Sequence, residues 1–273
     1  MSGWELSLIA TPPTDLDSAA LTAIETCSDL KELSGLTLLA SRPQQSIALA
    51  ELFRIQRRND DQIVVSGDLK SFHRIGYGWT QRSLLIEGDV GSGLGTGMRG
   101  GSIVVQGNTL DFAACQMRGG LIRVAGHTGD YLGGPLPGRR SGMSGGRVVI
   151  TRNAGHHAGH RLRRGTIIIA GDVNDGVASD MVAGTIAIGG RVGDFVAAGM
   201  RRGTLILRRT VALDPVRFSA ARTVDLGVSR LIAHDLQADA PEIAAALRGP
   251  LQRSLGDRSA AGQGEVWLCV CRS

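Results

Sequence analysis

The segment Met98-Arg99-Gly100-Gly101-Ser102-Ile103-Val104-Val105-Gln106-Gly107-Asn108 returns 19 residues later as Met117-Arg118-Gly119-Gly120-Leu121-Ile122-Arg123-Val124-Ala125-Gly126-His127. Followed in both directions, the same unit starts at Trp79, Met98, Met117, Met143, Leu162, Met181 and Met200, and every interval is 19 residues except the third, which is 26. Glycines recur too often in this unit for a helix, and its apolar runs are too short. Short strands joined by glycine corners satisfy both features. A unit this small cannot bury its apolar side chains alone, whereas copies stacked on one another can. The period therefore predicts a mainly β fold, a right-handed parallel β-helix (solenoid) of about seven coils with successive strands about 4.8 Å apart. Ile63-Val64-Val65-Ser66-Gly67-Asp68 matches Leu84-Leu85-Ile86-Glu87-Gly88-Asp89 at an offset of 21, so the array is expected to open near residue 60.

Equivalent positions of stacked units lie above one another, which sorts the side chains. Position 1 (Trp79, Met98, Met117, Met143, Leu162, Met181, Met200) and positions 6 and 8 (Ile103 and Val105, Ile167 and Ile169, and their equivalents) are expected in the core. Leu and Trp substitute for Met in the first row, which argues for packing rather than a metal-binding set. Position 7 must point the other way, yet it reads Leu85, Val104, Arg123, Val149, Ile168, Ala187, Ile206. An apolar outer row needs a cover, either the ends of the chain or another protein of a complex. Leu85, Val104, Val149, Ile168 and Ile206 are therefore candidate interface residues. Arg139 and Arg140 join them, because they lie in the loop at 133–142 that carries the extra residues of the long unit and suits a docking role.

Composition narrows the class. The 273 residues include 39 Gly, 8 Pro and 4% aromatics, wrong for collagen or a disordered chain. No apolar run reaches the roughly 18 residues of a membrane span, and the first ten residues lack a secretory pattern, so a cytoplasmic protein is expected. Cys27, Cys115, Cys269 and Cys271 show no zinc or disulfide spacing. Outside the array, residues 4–9 alternate like a strand, 17–27 can form a helix, 241–247 form a helix opened by Pro241, and 265–270 form a closing strand. The expected division is a lead-in and cap over 1–59, the glycine-repeat β-helix over 60–214, and a small mixed α/β cap over 215–273.

Three constellations invite chemistry. The recurrent Gly-Asp pairs return in most units and are not followed by a helix, so they read as corners rather than phosphate cradles. His127, His156, His157 and His160 gather near one corner, but no carboxylate or cysteine repeats with them, and no metal site is expected. The third is an arginine stripe. Of the 30 basic residues only Lys31 and Lys70 are lysines, and the net charge is +5. Position 2 supplies Arg99, Arg118, Arg163 and Arg201, and position 3 adds Arg164 and Arg202. Stacked like charges call for a nearby anion, while Asp111, Asp130, Asp175 and Asp194 form a separate row about half a coil away. Arg99, Arg118, Arg163 and Arg201 are therefore the candidate ligand-binding residues, and no catalytic set is found. A polyanion-binding protein and a free-standing metal enzyme at the histidine corner are the readings of other classes. Scarce aromatics argue against nucleic acid.

The repeated Met-x-Gly-Gly-x-Ile-x-Val-x-Gly-Asn resembles the glycine-repeat β-helix shared by the C subunits of formylmethanofuran dehydrogenases and the C-terminal domain of the glutamate synthase large subunit. Leu33-Ser34-Gly35-Leu36 and Ala50-Glu51-Leu52-Phe53-Arg54-Ile55 are similar to the lead-in of the dehydrogenase protein. The resemblance implies a non-catalytic member of a one-carbon complex. One version is the tungsten or molybdenum dehydrogenase. The other, favoured by the Arg-rich composition, is the formyltransferase/hydrolase complex, which moves formyl from tetrahydromethanopterin to a methanofuran analogue and hydrolyses it to formate. It implies a hydrolase (A) and a formyltransferase (D) as catalytic partners, a further partner (B), and no cofactor bound by this chain alone. It also implies a polyglutamate tail on the furan cofactor, a plausible anion for the arginine stripe beside an acidic partner face. No catalytic residue carries over.

Overall fold

The computed structural model describes residues 3–40 and 45–269. The N-terminal segment supplies β1 (Gly3–Leu8), β2 (Leu16–Asp17), a 3-10 helix (Ala19–Glu25), α1 (Leu30–Ser34), β3 (Thr37–Ala40), β4 (Ser46–Ala48), α2 (Leu49–Leu52) and β5 (Phe53–Arg58). After β6 (Ile63–Ser66) and β7 (Phe72–His73), each repeat unit contributes one strand: β8 (Ser83–Glu87), β9 (Ser102–Val105), β10 (Leu121–Val124), β11 (Ser144–Ile150), β12 (Arg164–Ile169), β13 (Thr185–Ile188) and β14 (Arg202–Leu207). The C-terminal segment forms β15 (Arg222–Val224), α3 (Gly227–Leu236), α4 (Pro241–Ala246), β16 (Leu251–Gly256) and β17 (Gln263–Cys269).

The fold is mainly β, with few helices and one large, mostly parallel sheet. Its 13 strands run β15-β16-β17-β14-β13-β12-β11-β10-β9-β8-β6-β1-β5. Pairing is parallel from β17 through to β1 and antiparallel only at the two ends, β1 with β5 and β15-β16-β17. The sheet is open. A smaller sheet, β4-β3-β2-β7, sits in the N-terminal region. Ile63 pairs with Leu84, as the offset of 21 requires, and Leu121 pairs with Arg147 across the long unit, so the extra loop is extruded without disturbing register. A second row of parallel bridges links Leu69, Val90, Thr109, Thr128, Ala154, Val173 and Val192, one residue per unit.

Two side-chain ladders run along the corners. The Oδ1 atoms of Asp89, Asn108, Asn153 and Asp172 accept the amides of Asn108, His127, Asp172 and Arg191 in the next unit at 2.7, 2.8, 3.0 and 2.7 Å. Three residues on, Asp111, Asp130 and Asp175 accept from Asp130, His156 and Asp194 at 2.8, 2.7 and 2.8 Å. These ladders explain most of the corner glycines. A Cβ on Gly107, Gly126, Gly129, Gly155, Gly171, Gly190 or Gly193 would collide with the Asx oxygen of the preceding unit. Where the acceptor is instead His127 Nδ1, 3.3 Å from the amide of Asn153, the residue before that amide is Arg152.

The expected core rows are buried, with position 1 from Trp79 to Met200 at 1% exposure or less. The position-7 row divides. Val149, Ile168, Ala187 and Ile206 form a second cluster with Ala233, Leu236, Ala240, Ile243, Ala244 and Leu247, so α3 and α4 are their cover. At 2%, 0% and 0% exposure, Val149, Ile168 and Ile206 are not available to a partner, which corrects that part of the expected interface. Arg123, the odd residue of the row, is explained by the same helices. It and Arg147 grip Asp239, just beyond α3, and Arg147 also bonds Asp235 at 2.7 Å. Leu85 and Val104 lie beyond this clamp and stay half-buried. The helix expected over 17–27 is instead the short strand β2 followed by 3-10 turns, and α3 had no counterpart among the expected elements.

Both ends of the array are plugged by a buried carboxylate. Glu25 accepts from the amides of Thr80, Gln81 and Arg82 and from the Thr80 hydroxyl, all at 2.9–3.0 Å, supplying the bonds that a preceding unit would otherwise make. At the far end Asp257 accepts from the Gly199 and Ser259 amides, the Ser259 hydroxyl and Arg217. Burial alone would raise the Asp257 carboxyl, but these donors outweigh it and hold the group well below the ordinary carboxylate range.

Gly129→Ala is expected to cost about 2 kcal/mol or more, because a Cβ meets Asp111 in an over-packed corner, whereas Gly227→Ala, in open space at the start of α3, should gain about 0.5 kcal/mol. Urea unfolding of the two variants measures the contrast. A depressed carboxyl contributes stability above its unfolded pKa of about 3.9 and loses it as pH falls toward the folded value. Asp257→Asn should therefore lower stability at neutral pH and flatten its decline between about pH 4 and 2.

Candidate functional site

The position-2 residues begin just after the buried methionine row, where each chain leaves the core and enters its strand. Their backbones are held in register: the amides of Arg99, Arg118, Ser144, Arg163, Val182 and Arg201 donate to the carbonyls of Trp79, Met98, Met117, Met143, Leu162 and Met181 at 2.7–2.9 Å. The row is thus one residue per unit, about 4.8 Å per step. Arg99, Arg118, Arg163 and Arg201 are all exposed along it. Among the described residues, no carboxylate lies within 4.0 Å of any of these four, nor of Arg164. Arg202 meets only the neutral side chain of Gln263, at 2.7 Å. The acidic row does not reach them: Asp111, Asp130 and Asp175 are occupied as corner acceptors.

The arginines of the last units line an open depression of about 650 Å³. Arg163, Arg164, Arg201 and Arg202 surround Val182 and Ala183, with Ser144 and Ala261 completing the lining. Arg99 and Arg118 continue the row but do not line this depression. Two guanidinium charges about 10 Å apart repel by roughly 0.4 kcal/mol in water and about 1.7 kcal/mol at a surface dielectric near 20. The cost is small enough to tolerate, yet it leaves the groove attractive to anions. The arginine stripe did not by itself reveal a groove. Arg164 and Arg202 belong to it as much as Arg163 and Arg201 do, because the small Val182-Ala183 pair leaves a gap between them; the signal was the missing arginine in that unit.

The histidine corner is a packing feature. Phe112 stacks on Tyr131 at 5.3 Å and Tyr131 on His157 at 5.0 Å, while His160 Nδ1 lies 2.9 Å from the Ser179 hydroxyl. Burial, then the neighbouring Arg161, pushes the His160 ring below its usual pKa. Among the described residues, no three His, Cys, Asp or Glu side chains converge as metal ligands would. Cys27 and Cys115 are buried thiols, and burial pushes Cys115 up to about 12; Cys271 lies outside the described residues. Arg139 and Arg140 are exposed on the extruded loop. No helix among the described residues is long and apolar enough to cross a membrane.

A search of solved structures finds a chain of the formyltransferase/hydrolase complex (FhcABCD) from Methylorubrum extorquens, crystallised in complex with methylofuran. The likeness has a TM-score of 0.89 and 34% sequence identity and covers 98% of this chain and 100% of that one. The chain belongs to that family of formyltransferase/hydrolase complex subunits. No protein-family model matches the sequence, and no curated protein matches it. At 98% of this chain, the likeness takes in terminal segments as well as the repeats.

The exposed arginines of the row make no ion pair with a described carboxylate, so their charge is not expected to hold the fold together. Arg163→Gln should accordingly leave stability within about 0.5 kcal/mol of the parent, or raise it slightly at low salt. A loss above about 1 kcal/mol by urea unfolding would show that the arginine serves folding instead.

Proposed function

We propose that this chain is the structural member, the C subunit, of a cytoplasmic formyltransferase/hydrolase complex. In this reading it holds the hydrolase (A) and formyltransferase (D) proteins, together with the B protein, and carries no catalytic residues of its own. The complex moves formyl from tetrahydromethanopterin to a methanofuran-type cofactor and hydrolyses it to formate. The observation that carries the reading is the end-to-end likeness to a chain of such a complex, at 98% and 100% coverage. The absence of any recurring nucleophile, base and orienting group in the repeats is in keeping with a scaffold.

We further propose that each repeat unit is one coil of a right-handed parallel β-helix over 60–214, capped by 1–59 and 215–273. The strand ladder, the bridge row from Leu69 to Val192 and the position-2 backbone bonds support it, since all three link residues one unit apart. Of the expected interface, the half-buried Leu85 and Val104 strip and the exposed Arg139-Arg140 loop remain open to partners, while the arginine row receives an anion, either an acidic cofactor tail or an acidic partner face.

Tagged and co-expressed with the other proteins of the complex, the chain should co-purify with them, and the purified chain alone should turn over neither formyl transfer nor formyl-methanofuran hydrolysis. Turnover by the isolated chain would refute the scaffold role. Recovery with molybdopterin and iron–sulfur proteins would move the assignment to a formylmethanofuran dehydrogenase.

A further inference from the structure

We infer that the arginine row is a docking groove for an acidic peptide segment in the polyproline II conformation, laid across the strands with a glutamate at every third residue. This rests on the reading of the row as an anion site and specifies its ligand. From the third unit to the seventh, position 2 alternates without exception: Arg118, Ser144, Arg163, Val182, Arg201. Consecutive members are locked one step apart by backbone bonds. The arginines therefore recur every second step, about 10 Å apart, and span about 19 Å.

That spacing discriminates between anions. A lone phosphate or sulfate engages at most the arginines whose side chains converge on it and leaves the rest of the row unpaired. A β-strand presents every second side chain on one face, about 7 Å apart, and falls out of step with the arginines. Polyproline II has three residues per turn and a rise of about 3.1 Å, so every third side chain returns to the same face after about 9.3 Å. A segment of about seven residues then offers three carboxylates over about 19 Å, each gripped by the planar fork of a guanidinium through two hydrogen bonds.

The floor between the charges fits the same ligand. Val182 and Ala183, with Ala261 beside them, are apolar or small. Such a floor accepts the methylene stem of glutamate and favours it over the shorter aspartate. Among the described residues no aromatic side chain lines the groove, so nothing is available for stacking on bases, which sets it apart from a single-strand nucleic-acid channel.

The test is titration of the full chain with fluorescein-labelled peptides of one composition in two orders. In one, Glu-Pro-Pro-Glu-Pro-Pro-Glu, the glutamates stand three residues apart; in the other the three are adjacent. The spaced peptide should bind at least about tenfold tighter, with its aspartate counterpart and inorganic phosphate weaker still. Arg163→Gln with Arg201→Gln should weaken the spaced peptide at least about tenfold, whereas Arg152→Gln with Arg191→Gln, exposed arginines on another corner, should leave it unchanged. Equal binding of the two orders, equal competition by phosphate, or full binding by the R163Q/R201Q variant overturns the inference. Equal binding that still needs Arg163 and Arg201 overturns the peptide register and leaves the anion site standing, while assembly is read independently by co-purification.

Discussion

The structure depends on a hydrogen bond passed from one unit to the next, in which an Asx carboxylate or amide oxygen accepts the backbone N–H of the equivalent residue one repeat later. A corner amide would otherwise have only water as its partner, and exchanging that for a protein acceptor gains about 0.5–1.5 kcal/mol per bond. Repetition multiplies the effect along two corners. It also dictates the glycines, because the oxygen occupies the space where the next unit's Cβ would stand. Glycine at these corners answers a steric demand more than a need for left-handed backbone: none of the seven glycines under a ladder oxygen, Gly107, Gly126, Gly129, Gly155, Gly171, Gly190 and Gly193, has a positive φ.

Much of this was legible in the sequence, because a stacked architecture writes its period into the chain. The 19-residue interval set the parallel partners, and the methionine and Ile/Val rows identified the interior. The terminal segments were less readable. No repeat marks Glu25 or Asp257 as end plugs; each is a lone carboxylate whose role emerges only when 55 to 58 residues of intervening chain bring amides to it. The apolar position-7 row announced that a cover existed but not its identity. Arg123 held the clue, since a charge in an apolar row signals a specific partner, here Asp239.

The candidate site was half visible. The arginine stripe follows from the period, but the groove arises where Val182 and Ala183 interrupt it, and a missing charge is harder to notice than a present one. Physically the two halves of the molecule divide their tasks. Helices α3 and α4 seal one outer surface of the sheet with apolar packing and a two-arginine clamp on Asp239. The position-2 row leaves its cations unneutralised by any described carboxylate. With the fold-stabilising carboxylates held at the corners and these cations on a separate row, the two sets do not pair with one another.

Native-state hydrogen exchange on the full chain tests the stacking account most directly. The amides of His127, Asp172, Arg191 and Asp194 belong to residues whose side chains are exposed at corners, where loop amides normally exchange fast. If the inter-unit ladder holds the fold, these amides exchange only with global unfolding, at rates matching those of the strand amides of Ile167 and Ile186. Exchange as rapid as that of the exposed Arg139-Arg140 loop would contradict it.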